Sequence, residues 1–233
     1  MRCNVITIFP EVMDTILSMG MLGIAARKGL ARYRTVSPRE FTADLHRSVD
    51  DDPYGGGAGM VMMAPPIVEA VESLSLPQGS PVILTSPAGR RFDQAMAAQF
   101  AAEPELTFIC GRYKGIDERV RELVVTHEVS LGDFVLSGGE LAAAACIEAV
   151  VRLLDDVLGN EESGDTDSFA PGRDYLLDCA WYTRPEEYRG LKVPGVLTSG
   201  HHKEIENWRR QSSLERTKRL RPDLLQDSDE DTE

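Results

Sequence analysis

Three glycine-bearing segments carry the chemistry-prone spacing of this chain: SPAGRR (86–91), GRYKGIDER (111–119) and LGDFVLSGGE (131–140). Glycine lets the backbone approach a ligand and offer its N–H and C=O groups directly. None of the three fits GxGxxG or GxxxxGK[ST], so neither a dinucleotide site nor a phosphate loop of the NTPase kind is supported. Taken singly, each is more often a plain connection. DDPYGGGAGMVMM (51–63) needs unusual backbone angles or a close approach. No Lys-Ser/Thr pair follows it, so a structural loop is the simpler reading. Asp165 and Asp167 lie in a polar stretch, and Arg152 lies on the long helix expected before it. A carboxylate buried when substrate binds rises above its ordinary pKa of about 3.9 and becomes a better base; such acids also simply keep a linker soluble. His46, His127 and the His201–His202 pair have no partner at metal-ligand spacing, and the chain has no GxSxG elbow.

The elements that must position these residues alternate. Residues 3–9 (CNVITIF), 81–85 (PVILT) and 106–110 (LTFIC) read as buried strands; 11–19, 91–102, 117–125 and 140–158 read as helices; 129–136 is mixed. Strands alternating with helices predict a parallel sheet covered on both faces. In such sheets ligands sit beyond the carboxyl ends of the strands, where the three glycine segments fall. No repeat of solenoid period is present. From 159 to 173 (GNEESGDTDSFAPGR) the pattern turns polar and loses its period, as a linker does. Beyond it, 185–189, 204–211 and 213–220 read as short helices of a second, smaller domain.

Composition sets outer bounds. The 233 residues are 42% hydrophobic and 27% charged, enough for a sizeable core. The four cysteines (3, 110, 146, 179) form no CxxC, which suits a reducing, cytoplasmic setting. The longest apolar run, 141–151, is short and holds Glu148, so no membrane partner is expected. No basic-then-apolar signal pattern opens the chain. The formal charge of −13 argues against nucleic acid, but it is unevenly placed. The last eight residues hold five acids and no base and read as a solvated tail. Residues 201–221 hold seven bases against three acids. There Lys203, Arg209, Arg210 and Arg216, interleaved with Trp208, are candidate RNA contacts, with a solvated helix face as the equal alternative.

ITIFPEV, SPREFTADLHRSVDDDPYGGGAGMVM, SPAGR, CGRYKGIDERV, GDFVLSGGE, DSFAPG, LLDCAWYTRPEEY and VPGVLTSGHHKEIENWRR, in that order, resemble the bacterial tRNA (guanine-37-N1)-methyltransferase family of the SPOUT superfamily. The resemblance implies a fold that periodicity does not give: an α/β domain with a parallel sheet and a deep trefoil knot (1–158), despite the general rarity of threaded chains. A linker (159–174), a helical tRNA-binding domain (175–225) and a disordered acidic tail (226–233) would follow. It further implies S-adenosyl-L-methionine held at Leu84, Thr85, Ser86 and Pro87, at Gly111, Tyr113 and Gly115, and at Leu131, Gly132, Asp133, Phe134, Val135, Leu136, Gly138 and Gly139. The substrate would be the tRNA anticodon stem-loop rather than DNA, and the enzyme a homodimer with its site at the interface. The family's catalytic pair falls on Asp167, as general base for guanine N1, and on Arg152, stabilising O6. Lys114 stands where familiar members carry a Glu linked to magnesium (Mg2+) dependence, and a lysine there repels the cation. Ala142 replaces a common Pro, and 172–175 look extra. Rival readings are a methyltransferase acting on a ribose 2′-hydroxyl, a noncatalytic RNA-binding module and a nucleotide-phosphate site in the glycine-rich loop.

Overall fold

The computed structural model describes residues 1–158 and 166–225, in two compact units that divide at Gly159 and Asn160. The first unit runs β1 (Arg2–Ile6), α1 (Pro10–Leu17), α2 (Gly20–Arg27), β2 (Arg32–Val36), a 3-10 turn (Pro38–Phe41), β3 (Asp50–Asp51), β4 (Val61–Met62), α3 (Ala64–Glu72), β5 (Val82–Arg91), α4 (Gln94–Ala101), β6 (Glu105–Cys110), α5 (Glu118–Val124), β7 (His127–Ser130) and α6 (Glu140–Val151). Five strands form one sheet in the order β2-β1-β6-β5-β7, and every neighbouring pair is parallel.

The pleat sorts the apolar residues into two cores. Cys3, Val5, Ile83, Leu106 and Phe108 point to one face, against Met13, Leu22, Phe100, Ile147 and Val150 from α1, α2, α4 and α6. Ile6, Val82, Leu84 and Ile109 point to the other, against Ile67, Val71 and Val120 from α3 and α5. Central β6 is buried at every position, its two polar residues Glu105 and Thr107 both accepting from the Asn4 side chain on β1.

The expected parallel sheet with helices on both faces is therefore present, with local differences. The strand expected at 81–85 extends to Arg91, because Val129 pairs first with Thr85 and again with Arg90, across a register shift that loops out the intervening residues. The helix expected over 140–158 ends at Val151, and Arg152 is its C-cap rather than an interior residue. Tighter turns follow, with Leu153 and Leu154 bonding back to Val150 and Val151, and Asp156 takes a left-handed backbone that no helix continues. The sequence pattern does not anticipate α2, β2 or α3; the prolines at 65 and 66 suit the first turn of α3, where a missing N–H loses no bond.

The second unit contains turns over 166–178, a 3-10 turn (Pro171–Arg173), a hairpin of β8 (Glu187–Tyr188) and β9 (Leu191–Lys192), a short α7 (Gly195–Thr198), the long α8 (His202–Leu220) and a final 3-10 turn (Pro222–Leu225). The helix expected at 185–189 is instead the start of the hairpin, because Arg189 and Gly190 both take positive φ, as a two-residue hairpin turn requires. The two helices expected at 204–211 and 213–220 are one. Ser212 and Ser213 do not interrupt it: the Ser212 hydroxyl accepts the Ala180 amide and that of Ser213 donates to the Leu177 carbonyl. Of the expected linker, 159–165 lies outside the described residues, as does the tail at 226–233, while 166–174 is built into the second unit.

Candidate active site

Where β5 loops out after Thr85, beside the carboxyl ends of β6 and β7, lies a cleft of about 210 Å³. Leu84, Thr85, Ser86 and Pro87 line it from the first glycine segment; Gly111, Tyr113 and Gly115 from the second; Leu131, Gly132, Phe134, Val135, Leu136, Gly138 and Gly139 from the third. Asp133, expected with them, is not among the lining residues. Arg112, Lys114, Arg121 and Ala142 also line the cleft, though none was named among the expected cofactor contacts. Arg112 and Lys114 carried a signal, since they sit inside the GRYKG turn.

Close backbone packing builds this cleft. The Gly139 amide donates to the Gly111 carbonyl at 2.9 Å, and the Thr85 hydroxyl lies 3.3 Å from the Ile109 carbonyl and 3.4 Å from that of Gly139. A β-carbon on Gly139 would fall 2.2 Å from Thr85 Oγ1 and 2.9 Å from Cys110 Cα. Glycine at 139 is thus a demand of space rather than of backbone angle.

Beside it, Glu140 opens α6 and is 2% exposed. Its carboxylate accepts from Thr7 Oγ1 at 2.8 Å and from Arg112 Nε at 3.1 Å, with Arg112 Nη2 at 3.0 Å. The helix N-terminus adds its own attraction for that charge. Arg112 in turn lies 4.5 Å over the Phe9 ring. A buried carboxylate thereby fixes a guanidinium in the cleft wall.

The glycine-rich loop supports this wall. The Lys114 amide donates to Met60 O, Met62 to Gly115 O and Asp117 to Met62 O, at 2.9–3.0 Å. Tyr113, at φ +60°, meets Asp50 and Arg39; burial first, then the hydrogen bond and charge of Asp50, raise its phenol above the ordinary value. On the other flank Glu128 is pushed up by burial, but hydrogen bonds from Ser86 and Arg121, with the Arg121 charge, outweigh that and hold its carboxyl below the usual range. Burial drives the Cys110 thiol well up, so it offers no nucleophile.

Arg152 ends α6 in the first unit, its amide bonded to Glu148 O at 3.1 Å. Asp167 belongs to the second unit and is half-buried; Asp165 lies outside the described residues. On α8, Lys203 and Arg210 are exposed. Arg209 lies 5.0 Å over the Trp181 ring, and Tyr182 lies 6.1 Å from Trp208. Arg216 is half-buried, and its Nε has no hydrogen-bond partner. Among the described residues no group of three His, Cys, Asp or Glu side chains is placed to hold a metal, and no helix is long and apolar enough to cross a membrane.

A parallel sheet whose glycine turns close on one cleft, followed by a unit bearing a basic helix, defines an α/β protein with a glycine-lined cleft beyond its strands. Comparison with known proteins makes that class specific. Residues 1–227 match the family model described as tRNA (Guanine-1)-methyltransferase TrmD. Curated relatives named tRNA (guanine-N(1)-)-methyltransferase include that of Bordetella parapertussis, 52% identical over 97% of this chain and 90% of the relative. Those of Brevibacillus brevis (50%, over 97% and 92%) and Moorella thermoacetica (52%, over 97% and 90%) are similar to the same extent. The chain belongs to the TrmD family.

Proposed function

We propose that this protein transfers the methyl group of S-adenosyl-L-methionine to N1 of guanosine 37 in tRNA. The observation that carries this reading is the convergence of three glycine segments, separate in sequence, on one cleft in a chain of this family. The cleft suits the donor. Leu84, Pro87, Ile116, Leu131, Leu136 and Ala142 offer apolar surface for a purine and an aliphatic chain, and the intervening turns bring backbone donors and acceptors. Lys114 also lines it, and an ammonium there disfavours a neighbouring Mg2+.

When bound, the donor supplies an electrophilic methyl group on a sulfonium. Guanine N1 is a poor nucleophile while protonated, and Asp167 is the general base that takes that proton. Negative charge then grows on O6, and Arg152 donates hydrogen bonds to it. The glycine turns hold the donor in one orientation, so that positioning lowers the rest of the barrier. The guanine leaves its stack to be read. Lys203, Arg209 and Arg210 hold the anticodon stem by its phosphates, with Arg216 contributing less because its Nε is buried.

The reading includes a knotted path and a homodimer. Membership of the family supports the first. Exposed apolar side chains at Phe9, Val12 and Leu141, beside the Arg112–Glu140 pair, support the second. The test incubates the protein with labelled S-adenosyl-L-methionine and tRNA transcripts bearing guanosine or adenosine at position 37, then identifies the modified base. 1-Methylguanosine from the first transcript alone is expected. Label in a ribose, or equal labelling of both transcripts, would overturn the reading.

A further inference from the structure

One buried guanidinium fastens the turn that carries Asp167. Arg173 is 6% exposed. Its Nε donates to the Thr166 carbonyl and to Asp178 Oδ1, each at 3.3 Å, and its Nη1 donates to Glu206 Oε1 on α8 at 3.2 Å. A planar guanidinium reaches these acceptors from two separate nitrogens, Nε and Nη1, whereas a lysine ammonium offers a single nitrogen. Thr166 directly precedes Asp167. On the other side, the Ala170 amide donates to the Asp167 carbonyl at 3.2 Å, and the Phe169 amide donates to Leu176 O at 2.8 Å. The Asp178 amide donates to Ser168 Oγ at 2.9 Å. The backbone on both flanks of Asp167 is therefore tied into one body, and Arg173 adds a charged link to α8 beside the bonds that Ser213 and Thr217 make to Leu177.

Glu206 is shared. Arg209 Nη1 lies 3.8 Å from its Oε2, and Arg210 Nε lies 3.9 Å from its Oε1, the oxygen that Arg173 uses. A phosphate drawing Arg209 or Arg210 away would leave that carboxylate to Arg173.

We infer that Arg173 is a positioning residue for the methyl transfer: it holds the Asp167 turn on α8, and through Glu206 the hold tightens when RNA engages Arg209 and Arg210. The inference rests on the reading of Asp167 as the base.

The test measures single-turnover methyl transfer to guanosine-37 tRNA by the full chain, with donor affinity measured separately by calorimetry. Arg173→Met should slow transfer about tenfold to a hundredfold at saturating substrates, as a displaced catalytic group does. Donor affinity should stay within about twofold, and Arg173→Lys should recover part of the rate. In an Asp167→Asn background, Arg173→Met should change the residual rate by less than about twofold, because residues acting as a unit are not additive. An unchanged rate in Arg173→Met, or an equal fractional loss in both backgrounds, would overturn the inference. If Arg173→Met does not fold, Glu206→Gln serves: it keeps the Thr166 and Asp178 contacts and should still slow transfer at saturating tRNA, with no loss in the Asp167→Asn background; an unchanged rate again overturns it. Wild-type protein that binds the donor but leaves guanosine 37 unmodified would remove the proposed function and this inference together, whereas an active wild type with an indifferent Arg173→Met removes only the inference.

Discussion

At the scale of single residues, two glycines separate two kinds of demand. Gly139 has an ordinary backbone but no space, since an added β-carbon would meet Thr85 and Cys110 well inside contact distance. Gly56 has open space but sits at φ +75°. Gly139→Ala should therefore overpack the cleft floor, at about 1–3 kcal/mol. That lowers the melting temperature by roughly 2–4 °C per kcal/mol and weakens donor binding, both readable in one calorimetric series. Gly56→Ala should cost about 1 kcal/mol of backbone strain and leave donor affinity unchanged. Asp167→Ala belongs to the same scale. It should nearly abolish methyl transfer while sparing donor binding; activity within about tenfold of wild type, or ~1.4 kcal/mol, would reject the base assignment. The glycines were legible because their absent side chains leave a mark in the sequence. Glu140 was not: a glutamate opening a helix looks like any solvent-facing N-terminal acid, and only the packing of Thr7 and Arg112 around it makes it a buried anchor.

At the scale of elements, the buried strands and most of the sheet helices announced themselves by composition, because both faces of the sheet are covered and the interior strands are rich in apolar residues, with Asn4 on β1 bonded to Glu105 and Thr107 on β6. What escaped was decided by contacts. The extra pairing of β5 past Thr85 depends on β7, and the continuity of α8 through Ser212 and Ser213 depends on the 177–180 segment that satisfies their hydroxyls. The tie between α5 and β7 gives a pH test. Arg121 on α5 donates to Glu128 on β7 from Nε at 3.2 Å and from Nη2 at 3.1 Å. Because the folded carboxyl sits below its ordinary value, the folded state favours the ionised form. That stabilisation is complete above the unfolded glutamate pKa of about 4.3 and disappears as the pH falls through the depressed folded value. The melting temperatures of wild type and Glu128→Gln should accordingly differ by a constant amount near neutrality and converge under acid. A gap that persists unchanged in acid would mean that packing, rather than charge, sets it.

At the scale of the whole molecule, a chain of net charge −13 is proposed to hold a polyanion, and the arrangement of charge decides whether it can. Fields from distant acids fade over a Debye length of about 8 Å at physiological salt, so a phosphate feels the local excess of bases on α8 more than the total. Within that excess the arginines are not equivalent. Arg210 is exposed, Arg209 is held over Trp181, and Arg216 is half-buried. Each phosphate contact that releases a counterion adds about 0.7–0.9 to the slope of log affinity against log salt. Replacing Arg209 and Arg210 together by Gln should weaken tRNA binding and flatten that slope by up to about twice this amount, while Arg216→Gln should flatten it less and lower the melting temperature more. Filter binding across a salt series reads the slope, and donor titration of the same variants shows that the first unit is intact. A double variant whose slope matches wild type would return α8 to the role of a solvated face and move RNA recognition elsewhere on the chain.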